Sequence, residues 1–216
     1  MSDAVGPRQV RRLPRAARRE QILTAATGAF AHAGYTATGL DEVAVAAGVS
    51  RAILYRHFTS KSELYRAVLD RARTRVQAAV GDPPYTERII DDLLRTAAGD
   101  PDGFRVLFAH AVREPAFRGD VDAFTAEMAA TARDQLAASI PNSDWAQWAA
   151  HLAPTVTIAA ALAWLDAGRP DPDVAAIRIR EAVRGVTAAA SLQAAPTPDH
   201  SSDARASAQV ISQDAC

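Results

Sequence analysis

The chain has 216 residues, with 24 Lys and Arg against 25 Asp and Glu, a formal net charge of −1, and an apolar share of 49 %. That length holds two helical domains around a sizeable core and leaves no room for a large multi-domain enzyme. The single cysteine, Cys216, has no partner for an internal disulfide, and no cysteine cluster points to a metal site.

The small net charge hides an asymmetry. Residues 1–80 carry 13 Arg or Lys against 6 Asp or Glu, a balance of +7, whereas residues 81–216 carry 11 against 19, a balance of −8. A basic front half on an acidic body is the footprint of a polyanion-binding module joined to something else. Lys61 is the only lysine; the arginine bias is what a GC-rich genome produces. The start is too rich in arginine and too poor in apolar residues for a signal peptide. The longest apolar run, 152–165, is too short to span a bilayer and is interrupted by Pro154, Thr155 and Thr157. The expectation is a cytoplasmic protein without a membrane partner.

Residues 1–14 read as a flexible basic arm, broken by Gly6, Pro7 and Pro14 and charged by Arg8, Arg11 and Arg12. Such an arm is either a solubilising tail or a segment that touches the DNA backbone or minor groove. A first helix follows from Arg15 to Ala33, with Ile22, Ala26, Ala29, Phe30 and Ala33 on one face and Gly34 as its stop. Tyr35 then plugs the core of the small domain.

From Thr38 to Lys61 two short helices are joined by a tight turn. Thr38 is placed to cap the first, with Asp41 as a capping-box-like partner. Leu40, Val43, Ala44 and Ala47 make its apolar face, and Gly48 ends it. Ser50 caps the second helix, where Leu54 and Phe58 point inward while Arg51, Ala52, Tyr55 and Arg56 share an outward arc. A short helix that turns arginine, a methyl group and a tyrosine outward suits an anionic partner. The reading is a helix-turn-helix at 40–59, whose second helix enters the DNA major groove.

The run AGVSRAILYRHFTSKSELY, together with REQILTAATGAFAHAGYTATGLDEVAVAAG before it, resembles TetR-type transcriptional regulators over roughly residues 16–78. The resemblance implies an all-α fold: a three-helix DNA-binding domain over 15–80, including a linking helix from Lys61 to about Val80, then a divergent helical regulatory domain over 81–194. It implies phosphate contacts at Tyr55, His57 and Lys61. Lys61 also stands at a helix start, where free N–H groups favour an anion. The vicinity of Thr38 meets phosphate in the same reading. Sequence choice falls on Arg51, able to read guanine bidentately, with Ala52, Ile53 and Tyr55 touching thymine methyls or sugars. Many members have Gly-Thr where this chain has Ala52-Ile53, so a threonine hydroxyl is missing. The expected DNA-binding set is Thr38, Ser50, Arg51, Ala52, Ile53, Tyr55, Arg56, His57 and Lys61, and the partner is a double-stranded operator.

The body reads as five helices near 85–98, 102–114, 117–139, 143–168 and 172–194, separated by Gly- and Pro-containing breaks. From 195 to 216 the composition suggests a disordered tail. The last two helices offer small residues on nearly every face and are expected to build a four-helix interface in a homodimer. Phe104, Phe108, His110, Phe124, Met128, Trp145, Trp148 and His151 form an ambiguous set: ordinary core, or the wall of an effector cavity with a histidine as polar handle. No nucleophile elbow, HExxH or Gly-rich phosphate loop occurs, so no catalytic residue, metal or cofactor is expected. The resulting expectation is a dimeric repressor released from its operator by a small apolar or aromatic ligand. The alternatives are a ligand-independent regulator, an activator, or a helical ligand-binding dimer without operator binding.

Overall fold

The computed structural model describes residues 13–86 and 88–192. The tail expected at 195–216, and the expected arm apart from Leu13 and Pro14, lie outside the described residues. Among the described residues there are nine α-helices and no strand: α1 Arg15–Ala37, α2 Leu40–Ala46, α3 Arg51–His57, α4 Lys61–Val80, α5 Ile89–Gly99, α6 Pro101–Arg105, α7 Arg118–Leu136, α8 Ser143–Asp166 and α9 Pro172–Ala190. The fold is all-α.

Helix α1 buries Ile22, Leu23, Ala26, Thr27 and Phe30. Gly34, at φ +78, breaks the helical path as its sequence position suggests, but Tyr35–Ala37 add a further turn. This extra turn changes the next start. Thr38 is buried, and its hydroxyl donates to Gly34 O at 2.7 Å and Ala29 O at 3.2 Å, so it closes α1 instead of capping α2. Gly39 takes the N-cap, and Glu42, not Asp41, reaches back to its N–H at 3.5 Å.

The turn from α2 to α3 is set by local chemistry. Gly48 has φ +59, the Val49 N–H donates to Ala44 O at 3.0 Å, and the Gly48 N–H donates to Val45 O at 2.9 Å. These are the paired bonds of a helix end that only a left-handed residue closes cheaply. From α1, Gln21 Nε2 donates to Ala47 O at 2.7 Å and fixes that corner. Ser50 Oγ then accepts from the Ile53 N–H at 3.3 Å and starts α3.

Helix α4 begins with a Ser60 cap that Glu63 braces from within the first turn. Ser60 Oγ accepts from the Glu63 N–H at 3.1 Å, and Glu63 Oε2 accepts from both the Thr59 N–H and hydroxyl at 2.6 Å. Its buried stripe, Leu64, Tyr65, Val68, Leu69, Ala72 and Val76, belongs to a core that runs from α1–α3 into the body without interruption. Arg71 ties α4 to α1 by donating to Thr24 Oγ1 at 3.0 Å and Thr27 Oγ1 at 2.7 Å.

The body departs from its expected layout in one place. The single helix expected at 102–114 is divided into α6, a π turn at Val106–His110 and a 3₁₀ turn at Ala111–Arg113. After it, Phe117 is buried with its ring 4.8 Å from Tyr35 and 4.6 Å from Tyr65. Helix α8 continues through the position of Pro154 and is long and apolar enough, by length and composition, to cross a membrane, which the run 152–165 did not suggest. Its Ala146, Ala149, Ala150, Ile158, Ala161, Trp164 and Leu165 are buried within the protein. A second small core of Ile140, Ala146, Ala149, Val186 and Ala190 closes the far end, between α8 and α9.

Candidate nucleic-acid interface

Helix α3 is mounted from below by Leu54 and Phe58, both buried, which leaves Arg51, Ala52, Tyr55 and Arg56 exposed and Ile53 and His57 half-buried. An apolar pair at i and i+4 pins one face of a seven-residue helix, so the opposite face must point to solvent. Arg51 has a defined orientation. Its Nε lies 3.1 Å from Asp41 Oδ1 of α2, and its guanidinium carbon lies 5.6 Å from the centre of the Tyr55 ring. These neighbours hold the Arg51 pKa above its usual value, through Tyr55 first and Asp41 second.

At the other end of α3, His57 faces the start of α1. Burial lowers its pKa, and the charges of Arg15, Arg19 and Arg18 lower it further. Arg19 also lies over the Phe58 ring, 5.1 Å from its centre. The first turns of α1 therefore add cations beside α3. The expected DNA-binding set includes no residue of α1, although Arg15, Arg18 and Arg19 fall off its apolar stripe and signal an outward basic face.

Two expected phosphate contacts have different surroundings. Thr38 is buried and hydrogen-bonded to carbonyls of α1. Lys61 Nζ donates to Tyr35 O at 2.8 Å, Thr36 O at 3.1 Å and Thr38 O at 3.1 Å, and lies 4.6 Å from the Tyr35 ring centre. An ammonium has three N–H bonds, and here each meets a carbonyl. Lys61 thus clamps the end of α1 to the start of α4; a phosphate contact would displace one of these bonds. Ser50 carries the cap of α3, so its hydroxyl is engaged with backbone.

The expected effector set is dispersed. A cavity of about 760 Å³ lies between α4, α5, α7, α8 and α9, and of that set it takes only Phe124 and Met128. Its deep wall includes the buried Val76, Ile90, Leu93, Phe124 and Ile158; at its rim stand the exposed Gln77, Thr86, Glu127 and Ser139. Phe104 and Phe108 pack behind it, with the Phe108 ring 4.8 Å from Phe104 and 6.1 Å from Phe124. His110 sits half-buried in the π turn, its pKa lowered by burial and then by Arg113 and Arg105. Trp145 and Trp148 pack edge to face at 5.7 Å on the outer side of α8, 49 % and 40 % exposed, and His151 is exposed one turn on. The reason is the rotation of α8 about its axis: its alanines turn inward, letting α7 and α9 approach, so the i, i+3, i+6 row of Trp145, Trp148 and His151 faces out. Pro154, which cannot donate to Ala150 O, does line the cavity.

Comparison with known proteins agrees with this geometry. Residues 22–68 match the model of the tetR family of bacterial regulatory proteins. The chain is 40 % identical over 131 residues to the HTH-type transcriptional activator FasR of Mycolicibacterium smegmatis, covering 56 % of this chain and 60 % of that protein. It is 34 % identical over 84 residues to the HTH-type transcriptional repressor BepR of Brucella suis biovar 1, covering 37 % of this chain and 40 % of that one. These matches therefore span about half the length of the relatives. A TetR-like transcriptional regulator from Rhodococcus sp. RHA1 superposes with a TM-score of 0.71 at 27 % identity, over 81 % of this chain and 98 % of that structure. The helix-turn-helix, α2 and α3, lies inside the segment that matches the tetR family of bacterial regulatory proteins.

Proposed function

We propose that this protein is a sequence-specific DNA-binding transcriptional regulator. The observation that carries the reading is the outward face of α3, where Arg51, Ala52, Tyr55 and Arg56 are exposed on a helix capped by Ser50 and seated by Leu54 and Phe58. Arg15, Arg18 and Arg19 border it, which suits a phosphate backbone on either side of the groove. Ala52 and Ile53 offer methyl contact to thymine, and Arg51 offers the fork that guanine requires.

The protein works as a homodimer through α8 and α9. Support comes from the exposed Val174 and Ile177 of α9 and the exposed Trp145 and Trp148 of α8, large apolar side chains that a second copy would cover. A two-fold pair of recognition helices then meets half-sites about one helical turn apart. The effector reading rests on the 760 Å³ cavity, whose buried apolar wall and polar rim suit a small molecule with an apolar body. Because α4 lines the cavity through Val76, Gln77 and Val80 and begins beside α3, a filled cavity acts on both recognition helices through one rigid element. Release of a repressed operator is the expected consequence. The named relatives include an activator and a repressor, so the sign in the cell depends on where the operator lies.

The test is selection of binding sites from random duplexes with the purified protein, followed by a gel shift against salt. Enrichment of a two-fold motif, with affinity that falls steeply with salt, supports the reading. No enrichment over random DNA overturns it.

A further inference from the structure

The two acids in the first turn of α2 have separate tasks. Glu42 reaches the Gly39 N–H and closes the helix start. Asp41 turns away from the backbone and meets Arg51 across the motif, with Asp41 Oδ1 at 3.1 Å from Arg51 Nε. Nothing in the fold needs this pair: both side chains are about two-thirds exposed, and an exposed ion pair adds little stability. Its geometry matters more than its strength. The closest approach is made through Nε, the inner nitrogen of the guanidinium. A carboxylate on that edge leaves the two terminal nitrogens as a fork, and a bidentate contact to guanine O6 and N7 uses such a fork. On the other side the Tyr55 ring, one turn along α3, lies 5.6 Å from the guanidinium carbon. Arg51 is thus bracketed by a carboxylate at its inner edge and an aromatic ring beside it.

We propose that Asp41 is a specificity-determining positioning residue: it holds Arg51 so that the terminal guanidinium nitrogens address one guanine in each half-site. The inference rests on the DNA-binding reading above and adds a residue of α2 to the readout. Its mount is rigid. Val43 and Ala44 are buried, and the far end of α2 is bonded to Gln21, so the Asp41 backbone cannot drift relative to α3. An arginine held in its binding geometry loses less side-chain freedom on contact than one sampling solvent. The Asp41 carboxylate also lies on the DNA-facing side, where its charge repels phosphate. Positioning and repulsion therefore predict opposite consequences for its removal.

The experiment uses full-length protein and three duplexes: the site selected by the wild type, the same site with the candidate guanine pair changed to adenine–thymine, and that site with 7-deazaguanine, which lacks the N7 acceptor. For wild type, either change weakens binding by about tenfold or more. Asp41→Ala binds random DNA more tightly yet loses most of the discrimination, bringing the three duplexes to within about threefold. Asp41→Asn, which keeps an acceptor but not the charge, also tightens random binding while retaining most of the discrimination. Arg51→Ala lowers discrimination to the same floor, and adding Asp41→Ala lowers it no further. Equal tightening of all three duplexes by Asp41→Ala, with the ratio unchanged, overturns the positioning role and leaves only repulsion. A selection in which wild type enriches no site overturns the DNA-binding reading and this inference together, so the two failures are distinguishable.

Discussion

In α3 the large side chains divide by polarity: Leu54 and Phe58 are buried, and Arg51, Tyr55 and Arg56 face outward. In α8 the division runs the other way at one end, with Trp145 and Trp148 outside and Ala146, Ala149 and Ala150 inside. A short helix in a small domain needs large apolar anchors to stay seated, so size and burial coincide. A long helix between two others gains more from close approach, and small residues permit it. Large and apolar therefore means core in the first region and exposed surface at that end of the second.

The strongest way to break this comparison is to truncate one large ring in each region. Phe58→Ala removes a buried ring from the helix-turn-helix and is expected to cost about 3–5 kcal/mol in urea unfolding. Trp148→Ala, at an exposed position, should cost far less at protein concentrations where the chain is monomeric. Similar losses would contradict the assignment of α8's outer face.

The same contrast explains what could be read in advance. The helix-turn-helix follows from short-range chemistry: Gly48 in a left-handed turn, Ser50 as a cap, and Leu54 and Phe58 four residues apart. Within that motif the sequence reading slipped by one position. Gly34 breaks α1 but does not end it, so Thr38 is drawn into closing α1 and Gly39 takes the cap. The cavity was not legible because five helices define it, and the rotation of α8 about its axis is set by contacts with α7 and α9. Of the eight aromatic, histidine and methionine residues in the expected set, only Phe124 and Met128 line it. The carbonyl bonds of Lys61 were hidden for a similar reason, because its partners lie about two dozen residues earlier in the chain.

A medium effect sharpens the account of the small domain. Lys61→Met removes three donors from the carbonyls of Tyr35, Thr36 and Thr38 and is expected to cost about 1–3 kcal/mol of stability, measured by urea unfolding. If Lys61 instead acted mainly on phosphate, stability would be unchanged and the salt slope of DNA binding would fall by about one unit.

A smaller effect of opposite sign is expected next door. Tyr65 is fully buried between Phe30, Tyr35 and Phe117, and its hydroxyl lacks a hydrogen-bond partner among the described residues. Burial pushes its pKa up, so the hydroxyl stays neutral. Tyr65→Phe removes the unsatisfied group without opening a cavity at the ring and should raise stability by up to about 1 kcal/mol. A clear loss in the same unfolding assay would mean that the hydroxyl has a partner in solution.

The smallest expected effect is on pH. His57 has a lowered pKa in the free protein, caused first by burial and then by Arg15, Arg19 and Arg18. A nearby phosphate favours the charged form and raises that pKa in the complex. The complex then binds more protons than the free protein, so affinity rises as pH falls toward and below the free-state value. His57→Gln should flatten this slope in fluorescence anisotropy measured between about pH 7.5 and 5.5. An unchanged slope would remove His57 from the phosphate contacts.

The central claim is that the outward face of α3 reads DNA sequence, and site selection with wild type and Arg51→Ala in parallel tests it most directly. The account predicts a two-fold motif for wild type and, for Arg51→Ala, the same motif with one guanine per half-site relaxed and affinity lower by about 1–3 kcal/mol. An Arg51→Ala motif identical to that of wild type, at equal affinity, would contradict it.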